Sequence, residues 1–255
     1  MRRALERGEL FLHYQPKLDL HTQAITGVEA LLRWQNPEFG LVAPARFISI
    51  AEETGLILPI GRWVLKAACT QNVAWQRAGL PPVCMAVNLT ARQFADEHLV
   101  HDVAGALEDT SMDPRLLEIE FAENVLMYHP QEAVKVLKAI KGLGVRIAIH
   151  NFGAGYSALA QIEHFPIDTL KVDRSFVRGL AEDARSQVIM RAIFAMARAL
   201  SLTVVAEGVE TKEQQAFLSN HACNAVQGFH FSKPVAHEEL ASLLRQHRGL
   251  LPTSD

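Results

Sequence analysis

The chain lacks the features that mark several protein classes. Its 255 residues hold three cysteines, Cys69, Cys84 and Cys223, an odd number with no C-x-x-C pair. They read as small core residues of a reduced compartment. No apolar run reaches the roughly 18–20 residues of a membrane span. The start, Met1-Arg2-Arg3-Ala4-Leu5-Glu6-Arg7, lacks the apolar stretch of a signal peptide. Excess charge of one sign is missing too. Twenty-five basic and 28 acidic residues leave a net charge of −3. That gives no electrostatic footprint for duplex nucleic acid. No segment is low in complexity and no Pro/Gly/Ser linker divides the chain, so a single domain over 1–255, with a core of about 5–245, is expected. The chain opens inside what reads as a charged helix, and a domain cut from a longer protein is expected.

What the sequence has is apolar material in alternating patterns. Hydrophobic residues make up 49% and charged residues 21%, enough for a sizeable core. The length suits a (β/α)₈ barrel of roughly 250 residues. Strand candidates are Leu10–Tyr14, Ile25–Trp34, Cys84–Leu89, Leu116–Phe121, Val145–His150, Asp168–Val172, Thr203–Ala206 and Ala225–Phe229. Several are short runs rich in Val, Ile and Phe, as in strands buried on both faces. Amphipathic stretches lie between most of them: Gly61–Arg77, Pro130–Leu143, Ser186–Leu202 and Lys212–Asn220. Gly142 and Gly144 stop one helix, and Thr211 with Gln214 forms a capping-box pattern. The first two strands are joined only by the turn-like stretch Asp19–Gln23, which favours an antiparallel pair. The remainder predicts a parallel barrel.

Barrel chemistry sits at the C-terminal ends of the strands, and polar residues collect there. Glu29, Asn88, Glu120, His150, Asn151, Lys171, Glu207 and Gln227 each lie in or directly after an apolar strand run, with Glu123 and Glu210 just beyond two of them. Singly, each has a structural explanation: a glutamate after a strand neighbours a helix N-cap, and a strand-end lysine snorkels. Together they put carboxylates on one mouth, where they repel unless a cation or basic group sits among them. Oxygen ligands of this kind suit Mg²⁺ or Mn²⁺, and such a mouth with one lysine suits a phosphodiester.

The motifs resemble a bacterial family, the EAL domain of the cyclic di-GMP phosphodiesterases. The resemblance rests on Glu29-Ala30-Leu31 within Gly27–Trp34, on Tyr14-Gln15-Pro16, and on Val87-Asn88-Leu89 with Ala91-Arg92-Gln93-Phe94. It continues through Leu170–Phe176, Ala206–Thr211, and Gln227-Gly228-Phe229 with Phe231-Ser232-Lys233-Pro234. It implies a (β/α)₈ TIM-like barrel with one antiparallel strand, in the cytoplasm of a bacterium, usually as a module of a longer signalling protein. It also implies two Mg²⁺ or Mn²⁺ ions that open cyclic di-GMP to linear pGpG. By position, Glu29, Asn88 and Glu120 resemble ligands of the first metal and Glu207 a ligand of the second. Lys171 resembles the lysine at the attacking water, Glu210 an outer carboxylate, and Gln227 a water-holding residue. Gln15, Leu31 and Arg33 resemble nucleotide contacts. Glu123 resembles the carboxylate that holds the loop after the Val145 strand, coupled in active members to metal binding and dimerisation.

The chain departs from the family where Asp-Asp-Phe-Gly-Thr-Gly-Tyr-Ser is expected. It reads His150-Asn151-Phe152-Gly153-Ala154-Gly155-Tyr156-Ser157. Ala122 stands for a threonine and Asn224 for an aspartate. Three mouth carboxylates remain of five, so two divalent ions would bring +4 against −3 without an anionic bridge, at ~4 Å from one another. One weakly bound ion, or none, is expected. His150 suits Zn²⁺ or Mn²⁺ better than Mg²⁺. Three readings follow: a cyclic di-GMP receptor with lost or very weak hydrolysis, an active metal-dependent phosphodiesterase, and a protein-interaction barrel indifferent to the nucleotide. The retained Gln15, Arg33, Lys171 and Gln227 argue against the third, and the lost aspartates against the second. A homodimer or a regulatory protein partner is expected.

Overall fold

A computed structural model describes residues 1, 3–127, 129–153, 162–180 and 183–246. The strands are β1 (Leu10–Asp19), β2 (Ile25–Asn36), β3 (Gly40–Val42), β4 (Cys84–Leu89), β5 (Leu117–Ala122), β6 (Arg146–Phe152), β7 (Thr169–Val172), β8 (Thr203–Glu207) and β9 (Ala225–Gln227). Between and after them run α1 (Pro44–Thr54), α2 (Ile57–Arg77), α3 (Ala91–Phe94), α4 (Leu99–Thr110), α5 (Glu123–Met127), α6 (Pro130–Gly142), α7 (Arg174–Gly179), α8 (Ala184–Ala199), α9 (Lys212–Asn220) and α10 (His237–Gln246).

β2 and β4–β9 pair in parallel in sequence order, and β1 closes the ring between β9 and β2, antiparallel to both. The result is the expected (β/α)₈ barrel with one antiparallel strand. The β1–β2 turn is short because Asp19 Oδ1 accepts from the backbone N–H groups of His21 and Thr22, at 2.9 and 2.7 Å, and Gln23 takes the left-handed conformation.

β3 lies outside the ring and is absent from the strands read in the sequence. It is a three-residue hairpin arm on Trp34–Asn36, turned by Asn36 Oδ1 accepting from the N–H groups of Glu38 and Phe39. So short an arm carries no readable alternation. β1 runs five residues past the expected Tyr14, to Asp19. The capping box of Thr211 and Gln214 forms at the start of α9 as read, and the helix before β6 ends at Gly142, followed by Gly144 at φ 87°.

Side-chain alternation divides the ring into two surfaces. Val28, Val87, Ile119, Ile147, Leu170, Val204 and Val226 are buried in the hydrophobic core cluster, together with Ile57, Ile60, Val64 and Ala68 of α2 and Leu137 and Ile140 of α6. The alternate positions fill the barrel interior, and there the polar residues collect. Among the described residues no helix is long and apolar enough to cross a membrane. Ala154-Gly155-Tyr156-Ser157 of the departing motif lie outside the described residues.

Candidate functional site

Period two explains which residues point inward. On β2 they are Gly27, Glu29, Leu31 and Arg33; on β5, Glu118 and Glu120; on β7, Thr169 and Lys171. Glu29 pairs with Gln15 on one neighbouring strand, Asn88 with Glu120, and Glu207 with Gln227. Residues separated by up to 212 positions thereby reach one mouth.

Lys171 sits at the centre. Its side chain is fully buried, and its Nζ lies 2.9 Å from Glu29 Oε2, 2.6 Å from Glu120 Oε2 and 2.8 Å from Glu207 Oε1. It does not snorkel. Asn88 Nδ2 donates to Glu29 Oε1 at 2.6 Å, and Gln227 Nε2 donates to Glu29 Oε2 at 2.7 Å and to Gln15 Oε1 at 3.0 Å. Gln15 in turn donates to the Ser232 carbonyl. Gln227 Oε1 is buried with no partner among the described residues, an acceptor available to a donor at the mouth.

A second lysine, which the sequence reading missed, lies one layer below. Lys17 Nζ contacts Glu118 Oε1 at 2.8 Å and Glu120 Oε1 at 2.7 Å. Thr169 Oγ1 donates to Glu118 Oε2 at 2.7 Å. Glu118 carried a signal, a charge inside an apolar run two residues from Glu120, whereas Lys17 lay beyond the strand read over Leu10–Tyr14, two residues from Gln15.

The charges follow from this packing. Burial alone would raise the Glu29 carboxyl, but the ammonium groups of Lys171 and Lys17, with hydrogen bonds from Lys171 and Gln227, hold it at about 2. Burial opposes and Lys17 and Thr169 outweigh it at Glu118, also at about 2. Burial pushes Glu120 up, since its two ammonium partners are shared with Glu29 and Glu118. Burial works against the charge on Lys171, yet Glu120, Glu207 and Glu29 raise it well above its ordinary value. Burial and the Lys171 charge lower His150, so its imidazole is neutral at pH 7.

Two cavities flank the cluster. One of about 470 Å³ is lined by Leu31, Arg33, Ile48, Asn88, Ala122 and His150 among others. One of about 250 Å³ is lined by Gln15, Glu29, Arg174, Glu207, Glu210 and Gln227, with Leu31 again on its wall. Arg174, absent from the expected site residues, puts a second guanidinium at the mouth. Glu123 is buried and accepts from the Gly153 N–H at 3.1 Å. Asn151 is exposed at φ 55°, where the β6–β7 register is interrupted; asparagine tolerates that conformation as aspartate does. Asn224 is remote from this chemistry: its Oδ1 accepts from Val204 N at 2.7 Å, at the opposite end of β8 from Glu207.

The family profile of the EAL domain matches residues 1–234, and the chain belongs to that family. It is 44% identical over 240 residues to the bifunctional diguanylate cyclase/cyclic di-GMP phosphodiesterase MucR of Pseudomonas aeruginosa, covering 94% of this chain and 35% of that protein. It is 41% identical over 235 residues to the cyclic di-GMP phosphodiesterase PdeR of Escherichia coli, covering 92% of this chain and 35% of that protein. The solved PaMucR phosphodiesterase in complex with c-di-GMP superposes with a TM-score of 0.90 at 44% identity, over 94% of this chain and 97% of that one. The chain spans about a third of the length of these curated relatives.

Proposed function

We propose that the chain is a cyclic di-GMP-binding regulatory EAL domain whose hydrolysis is lost or very weak, working in the bacterial cytoplasm as a module of a longer signalling protein. The observation that carries this reading is the state of the mouth. Glu29, Glu120 and Glu207 all close on the Lys171 ammonium, while the β6 end offers a neutral imidazole and a neutral amide at His150 and Asn151. Two divalent ions would have no carboxylate between them.

Among the described residues no group of three His, Cys, Asp or Glu side chains is placed to hold a metal ion, so this reading takes one weakly bound ion or none. Four interior carboxylates, Glu29, Glu118, Glu120 and Glu207, face two ammonium groups, Lys17 and Lys171. The Arg146 guanidinium adds a third positive charge at Glu118, and one Mg²⁺ or Mn²⁺ is the most that the remaining negative charge calls for. Glu29, Asn88, Glu120 and Glu207 would hold it, and the ion would supply Lewis acidity at a phosphoryl oxygen. The chain's own groups provide the rest of the site. Arg33 and Arg174 carry fixed positive charge to the two cavities for an anionic dinucleotide. Gln15 and Gln227 orient Glu29, Leu31 forms the wall between the cavities, and Glu123 fixes the backbone at Gly153. Glu210 is an outer carboxylate of the smaller cavity.

A metal-dependent phosphodiesterase giving pGpG is the competing reading. It is favoured by the convergence of Glu29, Asn88, Glu120, Lys171 and Glu207, the parts that position a water and one ion. Calorimetric titration of cyclic di-GMP with and without Mg²⁺, with chromatography for pGpG, separates the two. Binding without turnover is expected. Turnover comparable to that of an intact member overturns the receptor reading, and no heat at high micromolar ligand leaves a protein-interaction barrel. Light scattering of the full-length protein tests for a homodimer as against a regulatory protein partner.

A further inference from the structure

The mouth is supported from below by a second layer of charge that none of the nucleotide or metal roles uses. From the N-terminal face of the barrel, Arg146 Nε stands 3.8 Å from Glu118 Oε2, with its side chain 39% exposed. Glu118 Oε1 contacts Lys17, Lys17 contacts Glu120 Oε1, and Glu120 Oε2 contacts Lys171. The ladder runs from solvent at one end of the barrel to Glu207 at the other. Lys17, Glu118, Glu120 and Lys171 are all buried.

The interior is shaped around the Lys17 stem. Lys17 pairs with Gly27, and a Cβ placed on Gly27 would lie 3.4 Å from Lys17 Cδ and 3.2 Å from the Cys84 carbonyl oxygen. Ala86 and Ala148, on the strands flanking β5, are also small and buried. A four-carbon chain and its ammonium thus occupy space that larger side chains would fill.

We infer that Lys17 is a positioning residue for the mouth: by engaging Glu120 Oε1 from below, it fixes the carboxylate plane so that Oε2 alone faces Lys171 and whatever the mouth holds. The geometry makes the inference independent of what that ligand is, and it rests on the proposed function only for the affinities used in the test. Glu118 and Thr169 fix Lys17 in turn. Without Lys17 the Glu120 carboxylate would be free to rotate, and Lys171 would lose the orientation of its shortest contact.

Lys17→Met and Lys17→Met/Glu118→Gln separate positioning from stability. The single variant leaves buried carboxylates short of a cation and melts at lower temperature; the double variant removes one charge of each sign and recovers most of that loss. The ¹H–¹⁵N resonance of the Lys171 ammonium reports the cluster without any ligand. In the refolded double variant it should remain displaced from the wild-type position, and Mn²⁺ affinity should stay at least about tenfold weaker. A wild-type Lys171 resonance in the double variant overturns the inference, as does Mn²⁺ affinity that recovers together with melting temperature. If the wild type binds neither Mn²⁺ nor cyclic di-GMP, the functional reading fails and the resonance alone decides the positioning role. Should the double variant not fold, Lys17→Arg provides the same readout, since it keeps the charge and replaces the compact ammonium beneath Glu120 by a planar fork of different reach; an unmoved Lys171 resonance there overturns the inference equally.

Discussion

On one side of the mouth, β2, β4 and β5 present Glu29, Asn88 and Glu120, each held by at least one side chain from another strand. On the other, β6 presents His150 and the exposed Asn151, and β8 presents Glu207, whose side chain is 21% exposed and, among the described residues, pairs with Lys171. The first side keeps its charge and its scaffold. The second has the left-handed Asn151 and the Glu123–Gly153 contact at β6, with Glu207 of β8 as its mouth carboxylate. Under the proposed reading the difference bears on hydrolysis: β2 and β5 offer carboxylates while the β6 end offers an imidazole and an amide, so two cations would have no carboxylate between them.

The largest effect should come from removing the charge on which both sides converge. Lys171→Met leaves Glu29, Glu120 and Glu207 without their shared partner, and about 3–5 kcal/mol of stability should be lost. Thermal melting should fall by on the order of 10 °C, and added Mn²⁺ should restore part of that by taking the vacated position. A melting temperature within a degree or two of wild type would mean the cluster is not charged as described.

His150→Asp with Asn151→Asp gives the β6 side carboxylates like those that β2 and β5 present. Mg²⁺ binding and conversion of cyclic di-GMP to pGpG should rise by more than the roughly 10–100-fold that an outer-shell partner of a metal is worth, and His150→Asp alone should give less. A double variant that binds Mg²⁺ yet stays inert would move the defect to the segment after Gly153. One that binds no metal would overturn the ligand assignments.

Arg33→Ala tests the larger cavity. Loss of a charge-assisted contact should weaken cyclic di-GMP binding by about 1.5–3 kcal/mol by calorimetry, with Arg174→Ala reporting the smaller cavity in the same way. Unequal effects would show which cavity dominates.

The smallest effect concerns acid. Glu29 and Glu118 stand at about 2 in the fold against an ordinary 4.5. Their depressed values contribute stability in full above pH 4.5, and that contribution is lost as pH falls toward 2. Glu118→Gln should flatten that limb by at most about 1.4 kcal/mol per pH unit, read from denaturant midpoints across the interval. An unchanged slope would place the acid-sensitive charge on the mouth alone.

The mouth residues were legible because each is a polar interruption of an apolar strand, and a barrel gives strand ends a common destination. Glu29, Asn88, Glu120, Lys171, Glu207 and Gln227 could all be picked out on that ground. What pairs with what was not legible. Lys17 and Glu118 meet across 101 positions, and neither stands at a strand end, so a rule that looks at strand ends passes over both. The rule for a strand-end lysine failed in the opposite direction. Lys171 would have to reach water to snorkel, and three carboxylates hold it inside. Asn224 shows the reverse case, a departure from the family pattern that bears on the joining of β8 and β9 at their starts rather than on the mouth.

The antiparallel β1 has a consequence for the order of folding. It meets β2 within a short turn, but its other edge waits for β9, where Leu18 and Asp19 pair with Val226 and Ala225, and Tyr14 bridges to Val235. The ring therefore stays open until β9 has emerged, and loop-closure entropy falls on that single late seam. During synthesis the first hairpin carries Lys17, Glu29 and Gln15 into an unfinished interior, and the carboxylates of β5 arrive before the ammonium of Lys171 does. That hairpin brings two interior cations, Lys17 and Arg33, and Lys17, which contacts Glu118 and Glu120 in the finished barrel, is available to them as a counter-charge before Lys171 is made.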